Sequence, residues 1–212
     1  MKVTLALIAL AAASPAIAQD PVTKDPPTLN VTQGDVQASP SYAAMTSSQR
    51  WNDFVSSNLS SPSVALRALS GAAISQLNRE PLSWGMGSRG FFERAGSHYA
   101  RFAVQGSIHS GLAAVLGHDT RYFREPGQSG WRRAHHALRR TFVTRDREGH
   151  SVFDISQMTA LYAAPMIASA WHPRRYGALT QGFRAGNFGV GAQAVGNLFR
   201  EFGPDLKHLL RK

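Results

Sequence analysis

The chain predicts an all-α fold, a compact helical bundle held by close-packed Gly/Ala/Ser helix seams. Three observations carry that prediction. A small residue recurs in 4-3-4-3-4-3 steps at Gly96, Ala100, Ala103, Ser107, Ser110, Ala114 and Gly117. On a helix this spacing makes one seam without a bulky side chain, a device for bringing helix backbones close. Helix start signals stand at Thr46-x-x-Gln49, Ser61-Pro62 and Asp154-x-x-Gln157. No stretch alternates with period two for long enough to read as a strand.

Taken in order, residues 1–18 read as a cleaved secretory signal: Lys2, an apolar run from Val3 to Ala13, and Ala16-Ile17-Ala18 before Gln19. This places the protein outside the cytoplasm, in the periplasm or at a cell-envelope membrane. Residues 19–44 carry Pro21, Pro26, Pro27 and Pro40 among polar residues and read as a disordered Pro-rich tether. Residues 45–212 then form a single helical domain, long enough to bury a core. The chain has no cysteine, which excludes disulfides, thiolate zinc sites, cysteine nucleophiles and a lipid-modified cysteine after the signal.

Thr46 and Gln49 form a capping box that opens a short helix with Trp51 and Phe54. Ser61 caps the next helix, about 62–79, and Pro81 stops it. Gly85, Gly87 and Gly90 around Trp84 mark a loop. The seam helix follows over about 91–116, with Gly117 as its left-handed terminator. A polar connection leads to a cationic helix over about 130–144 and then to a charged turn through Gly149-His150. Asp154 caps a helix to about Trp171, with Gln157 at N3, Phe153 and Met158 at the staple positions, and a kink at Pro165.

A second seam, Gly182, Gly186, Gly189, Gln193 and Gly196, repeats the 4-3-4-3 step. As a helix, 178–200 carries interior glycines costing about 1 kcal/mol each relative to alanine. Close packing must return that energy, and the first seam is the expected partner. Gly203-Pro204 is read as the start of a separate basic C-terminal helix. The longest uncharged runs, 102–117 and 155–171, fall short of the ~20 mainly apolar residues a spanning helix needs.

Charge points to the partner. Lysine and arginine number 23 against 13 acidic residues, a formal +10. For an exported chain this suits anionic lipid headgroups or an envelope polymer, with peripheral membrane association, and not nucleic acid. On the cationic helix Arg132, Arg133, His136, Arg139 and Arg140 fall within an arc of about 120°. Trp131, Ala134, Leu138, Thr141 and Phe142 lie opposite. The helix then lies in a membrane interface with its arginines on phosphates, or docks its apolar face on the core. Both readings leave the arginines exposed to an anionic partner.

Signals for catalysis are sparse. No histidine pair has the spacing of H-E-x-x-H, there is no G-x-S-x-G, and no metal, cofactor or catalytic residue is assigned. A candidate functional loop comprises Asp119, Arg121, Tyr122 and Arg124, joined by His150. These residues, with Gly149-His150 and Glu201-Phe-Gly-Pro-Asp205, resemble a family of small exported bacterial proteins sharing a D-x-R-Y-F-R loop. The resemblance spans roughly residues 85–210. That family has no established activity, so it implies no residue roles. The leading expectation is a structural or binding protein of the cell envelope. The alternatives are an integral membrane helical protein and a phosphate-ester hydrolase using His150 with arginines such as Arg174 and Arg175. The sequence sets no oligomeric state.

Overall fold

The computed structural model describes residues 42–125, 129–173 and 177–209. The predicted signal, most of the predicted tether, and Arg174-Arg175 lie outside these residues. The chain forms α1 (Ser47–Asn58), α2 (Pro62–Leu77), a 3-10 turn (Leu82–Trp84), α3 (Ser88–Leu116) and α4 (Gly130–Arg139). It continues with β1 (Val143–Arg145), β2 (Ser151–Phe153), α5 (Ile155–Ala168) and α6 (Ala178–Leu209). The fold is compact and mostly helical, packed by many helix–helix contacts.

Local chemistry sets the helix starts. Thr46 Oγ1 accepts from Gln49 N while Gln49 Oε1 accepts from Thr46 N, completing the capping box. Ser61 caps α2 with Pro62 at its first position. Asp154 accepts from Gln157 N at 2.9 Å. Gly117, at φ 74°, ends α3 in the left-handed region where glycine carries no Cβ penalty.

Helix α3 is the spine. Helices α1 and α2 run antiparallel along it in series, Asn58 packing on Gly106 and Ser75 Oγ lying 2.9 Å from His98 Nε2. Helix α5 lies antiparallel on another side, its ends tied by His118–Ser156 and by Trp171 Nε1 donating to Ser97 Oγ. Helix α6 folds back against α5 and reaches α4 with its C-terminal half.

Two features depart from the sequence reading. The cationic helix ends at Arg139, and Val143–Arg145 pairs antiparallel with Ser151–Phe153. Strands of three residues are too short to show an alternating pattern. Gly203-Pro204 does not open a new helix either; both sit inside α6.

The seams fare differently. Gly182, Gly186 and Gly189 do meet a helix, but it is α5: a Cβ at these positions would run into Met166, Tyr162 and Leu161. The first seam is not their partner. Gly96, Ser107 and Ala114 are exposed, and a Cβ on Gly96 would touch nothing within 4 Å. The close approach on α3 falls about 80° around the helix, at Gly106. At its N-terminal end the seam floors an open apolar groove of ≈ 330 Å³ walled by Trp84, Phe92 and Trp171.

A paired substitution separates helix propensity from packing. Gly186→Ala gains about 1 kcal/mol of propensity but overpacks the Tyr162 ring, whose hydroxyl is held by Asn187 at 2.8 Å. Overpacking costs about 1–3 kcal/mol, so a net loss is expected in urea denaturation. Gly191→Ala, with nothing near its Cβ, is expected to gain up to about 1 kcal/mol.

The interior is unusual in what it holds. The buried apolar residues are mainly alanines, Ala68, Ala72, Ala113, Ala137, Ala160, Ala164 and Ala168, with Val64 and Leu161. The largest fully buried side chains are polar: Arg94, Glu201, Asn197, Thr141, Thr144 and Ser156. Many Phe, Trp and Leu side chains instead face outward. Among the described residues no helix is long and apolar enough to cross a membrane, which does not favour the integral-membrane reading.

Candidate functional site

The loop after α3 is anchored at both ends of Asp119. Its N–H donates to Arg145 O at 2.8 Å, and Thr144 Oγ1 donates to its carbonyl at 2.6 Å, fastening it to β1. The carboxylate is fully buried and accepts from the Arg121 backbone N, from Arg121 Nε and Nη2, and from Tyr42 OH at 2.9 Å. Burial pushes this carboxyl up, but the hydrogen bonds from Arg121 and Tyr42 outweigh it and hold the group below the usual range. Tyr42 and Ala43, within the predicted tether, are therefore tied to the loop: Arg121 Nη2 also donates to Ala43 O at 2.7 Å.

Glu201 of α6 is the second anchor, with no exposed surface. Tyr122 OH donates to it at 3.0 Å, Glu125 N at 3.3 Å and Arg133 Nε at 3.2 Å. Burial first, and then Glu201, push the Tyr122 hydroxyl well above its ordinary value, so it stays a donor. Arg133 also donates to the Glu201 carbonyl and to Asp205 Oδ2. His136 places its two ring nitrogens 2.9 Å from Phe123 O and 3.0 Å from Glu125 Oε1. Arg140 Nη2 donates to Arg121 O at 3.0 Å.

The cationic helix is thus turned around relative to the sequence reading. Arg133, His136 and Arg140 face inward because buried acceptors on the loop and α6 await them. Arg132 and Arg139 are exposed. The face carrying Trp131, Leu138 and Phe142 points outward, Trp131 being 81% exposed.

Between these anchors lies a polar cavity of ≈ 40 Å³, room for about two or three waters. His109, Asp154, Gln157, Asn197, Arg140 and Arg200 are among its walls. Among the described residues, Arg140 Nε and the nearby loop's Arg124 Nε are buried without a hydrogen-bond partner. Burial lowers His109 despite the opposing charges of Asp154 and Asp53, favouring a neutral ring.

A serine, a histidine and an aspartate meet beside this cavity, but not as a triad. Ser156 Oγ is 2.7 Å and Asp154 Oδ1 3.7 Å from the same His118 nitrogen, Nδ1. A general base needs its two partners on opposite nitrogens, and Ser156 is fully buried. His150 stands apart on the hairpin turn, its side chain 77% exposed and 3.5 Å from Asp146. Asp146, Glu148 and His150 bring one ligand atom each within 4.8 Å of one another on that turn, though Asp146 Oδ1 already accepts from the Glu148 and His150 amides.

The structure therefore joins Asp119, Arg121, Tyr122, Arg133, His136 and Arg140 into one hydrogen-bonded network around the buried Asp119 and Glu201 carboxylates and leaves His150 outside it. The sequence reading passed over Tyr42, Asn197, Arg200 and the hub role of Glu201. The one available signal was Glu201 itself, an acid near the end of an apolar, glycine-rich helix. No protein family, curated protein or solved structure matches this chain.

Proposed function

We propose that this protein is an exported cell-envelope binding protein that attaches peripherally to an anionic membrane surface, and that it does so through the outward face of α4. The observation carrying the proposal is an exposed apolar patch with arginines at its rim. Trp131 and Leu138 lie on one side of α4, and Phe142 is exposed just beyond its C-terminal end. Phe153 and Ile155 continue the patch, since Asp154 N donates to Phe142 O at 2.8 Å and β2 pairs with β1 beside it. Arg132 and Arg139 flank it on the same helix.

Such an arrangement suits a helix lying flat in the headgroup region, with aromatics below and arginines on phosphates. An apolar patch of this kind on a chain of formal charge +10 matches an anionic lipid surface in both polarity and charge. The inward arginines contribute by fixing the helix, not by touching the partner.

The test is co-sedimentation with phosphatidylcholine vesicles, with and without phosphatidylglycerol. Trp131→Ala/Phe142→Ala is expected to weaken binding about tenfold or more at any salt, because each ring loses roughly 1–2 kcal/mol of burial. Arg132→Gln/Arg139→Gln is expected to weaken it only at low salt and only on the anionic vesicles. Equal sedimentation of the aromatic variant and the wild type would remove the proposal.

A further inference from the structure

The polar cavity behind the loop is walled by more hydrogen-bonding groups than the protein itself satisfies. Asp119 and Arg121 are committed to each other, and Tyr122 to Glu201. Other groups in the same wall have no partner among the described residues. Arg140 gives Nη2 to Arg121 O, but its Nε is buried and unpaired. The guanidinium of Arg200, the ring of His109 and the side-chain amide of Gln157 make no hydrogen bond or ion pair. Arg200 is exposed and stands on the solvent side of the cavity. Asp154 Oδ1 caps α5 and lies 3.7 Å from His118 Nδ1, whereas Oδ2 accepts nothing from the described residues.

Charge and size narrow what the cavity can hold. With Arg121 balanced by Asp119, the wall sets Arg140 and Arg200 against Asp154 alone, and neither arginine has a carboxylate within ion-pairing distance among the described residues. Burial, then the charge of Arg145, lowers Arg140, the mark of a cation short of counter-charge. Burial keeps His109 neutral, so its ring donates from one nitrogen only. A space of ≈ 40 Å³ takes a small polyatomic anion and not an organic ligand.

We propose that this cavity binds inorganic phosphate, with Arg140, Arg200, His109 and Gln157 donating to its oxygens and Asp154 Oδ2 accepting its P–OH. Guanidinium N–H groups match phosphate oxygens in charge and geometry. The carboxylate decides which oxyanion enters. Phosphate keeps a proton near neutral pH and offers it to Asp154; sulfate has none, so its oxygens meet the carboxylate as like charges. A lipid phosphodiester also lacks a P–OH, and its two ester groups do not fit the space. The site therefore takes the free ion. It lies on the inner side of the loop, apart from the outward face of α4, and stands or falls independently of it.

Thermal unfolding in phosphate, sulfate and chloride at equal ionic strength near neutral pH tests the site. Phosphate at about 10 mM is expected to raise the midpoint by about 2 °C or more over chloride, and sulfate by less than half as much. Arg200 makes no hydrogen bond to the described residues, so Arg200→Gln should fold normally and lose the phosphate shift. Asp154→Asn keeps a good helix cap and puts a donor where the acceptor was, so phosphate and sulfate should then act alike. Trp131→Ala/Phe142→Ala should keep the full phosphate shift, which separates this site from the membrane face. No phosphate shift in the wild type, a shift that survives Arg200→Gln, or equal shifts from phosphate and sulfate in the wild type overturns the site.

Discussion

Replacing Glu201 by alanine is expected to lower the unfolding free energy by about 3–5 kcal/mol, the range for breaking a buried ion pair by removing one partner. Glu201 accepts from Tyr122 OH, Glu125 N and Arg133 Nε with no surface exposed to water. Its loss strands a largely buried guanidinium and a phenol whose hydroxyl then has no acceptor there. Asp205 still holds one end of Arg133, which keeps the cost from rising further. Glu201→Gln retains an acceptor for the tyrosine and should cost less. Urea denaturation of the three proteins measures the differences, and a loss under about 1 kcal/mol for the alanine variant would contradict the role assigned to this side chain. Because α4 is held by this network, the same variant should also weaken vesicle binding at temperatures where the protein remains folded.

The local features of this fold were legible because they are encoded within a few residues. Thr46 with Gln49, Ser61 with Pro62, and Asp154 with Gln157 each supply the cap that the first helical turn lacks. The partners of a face are a different matter. The small residues of α3 permit a close approach but do not compel one, and Trp84 and Trp171 rise beside Gly96 instead of a helix. The glycines of α6 do find a helix, since α5 follows the hairpin and lies in the way.

The orientation of α4 shows the limit most clearly. Its two faces are evident from spacing alone, and the usual rule turns the apolar face inward. The rule fails because Glu201 and Asp205, more than sixty residues later, present carboxylates with which Arg133 pairs. Once Arg133 is committed to Glu201, Trp131 and Leu138 have no direction left but outward. The same inversion recurs across the molecule, with alanine and polar groups inside and aromatic rings outside.

The other large effect is expected at Arg94, and it has a different origin. This side chain is 1% exposed, and among the described residues it pairs with no carboxylate. Its Nε donates to Glu80 O at 2.9 Å, its Nη1 to Gln76 Oε1 at 2.7 Å and Gly85 O at 2.8 Å, and its Nη2 to Pro81 O at 2.8 Å. The three carbonyls belong to the connection between α2 and α3, so one guanidinium folds the whole turn and seats Trp84. Gly90 lies so close to the carbonyls of Trp84 and Gly85 that a Cβ there would displace them. Arg94→Met keeps the stem and removes all four bonds. Charge-assisted bonds contribute about 1.5–3 kcal/mol each but share one side chain, so a loss of about 4 kcal/mol is expected rather than their sum. Arg94→Lys retains the charge and three donors without the planar fork, and should recover no more than about half of it. If the lysine variant matches the wild type in urea denaturation, charge alone holds the turn. The expected order, wild type above lysine above methionine, requires the fork.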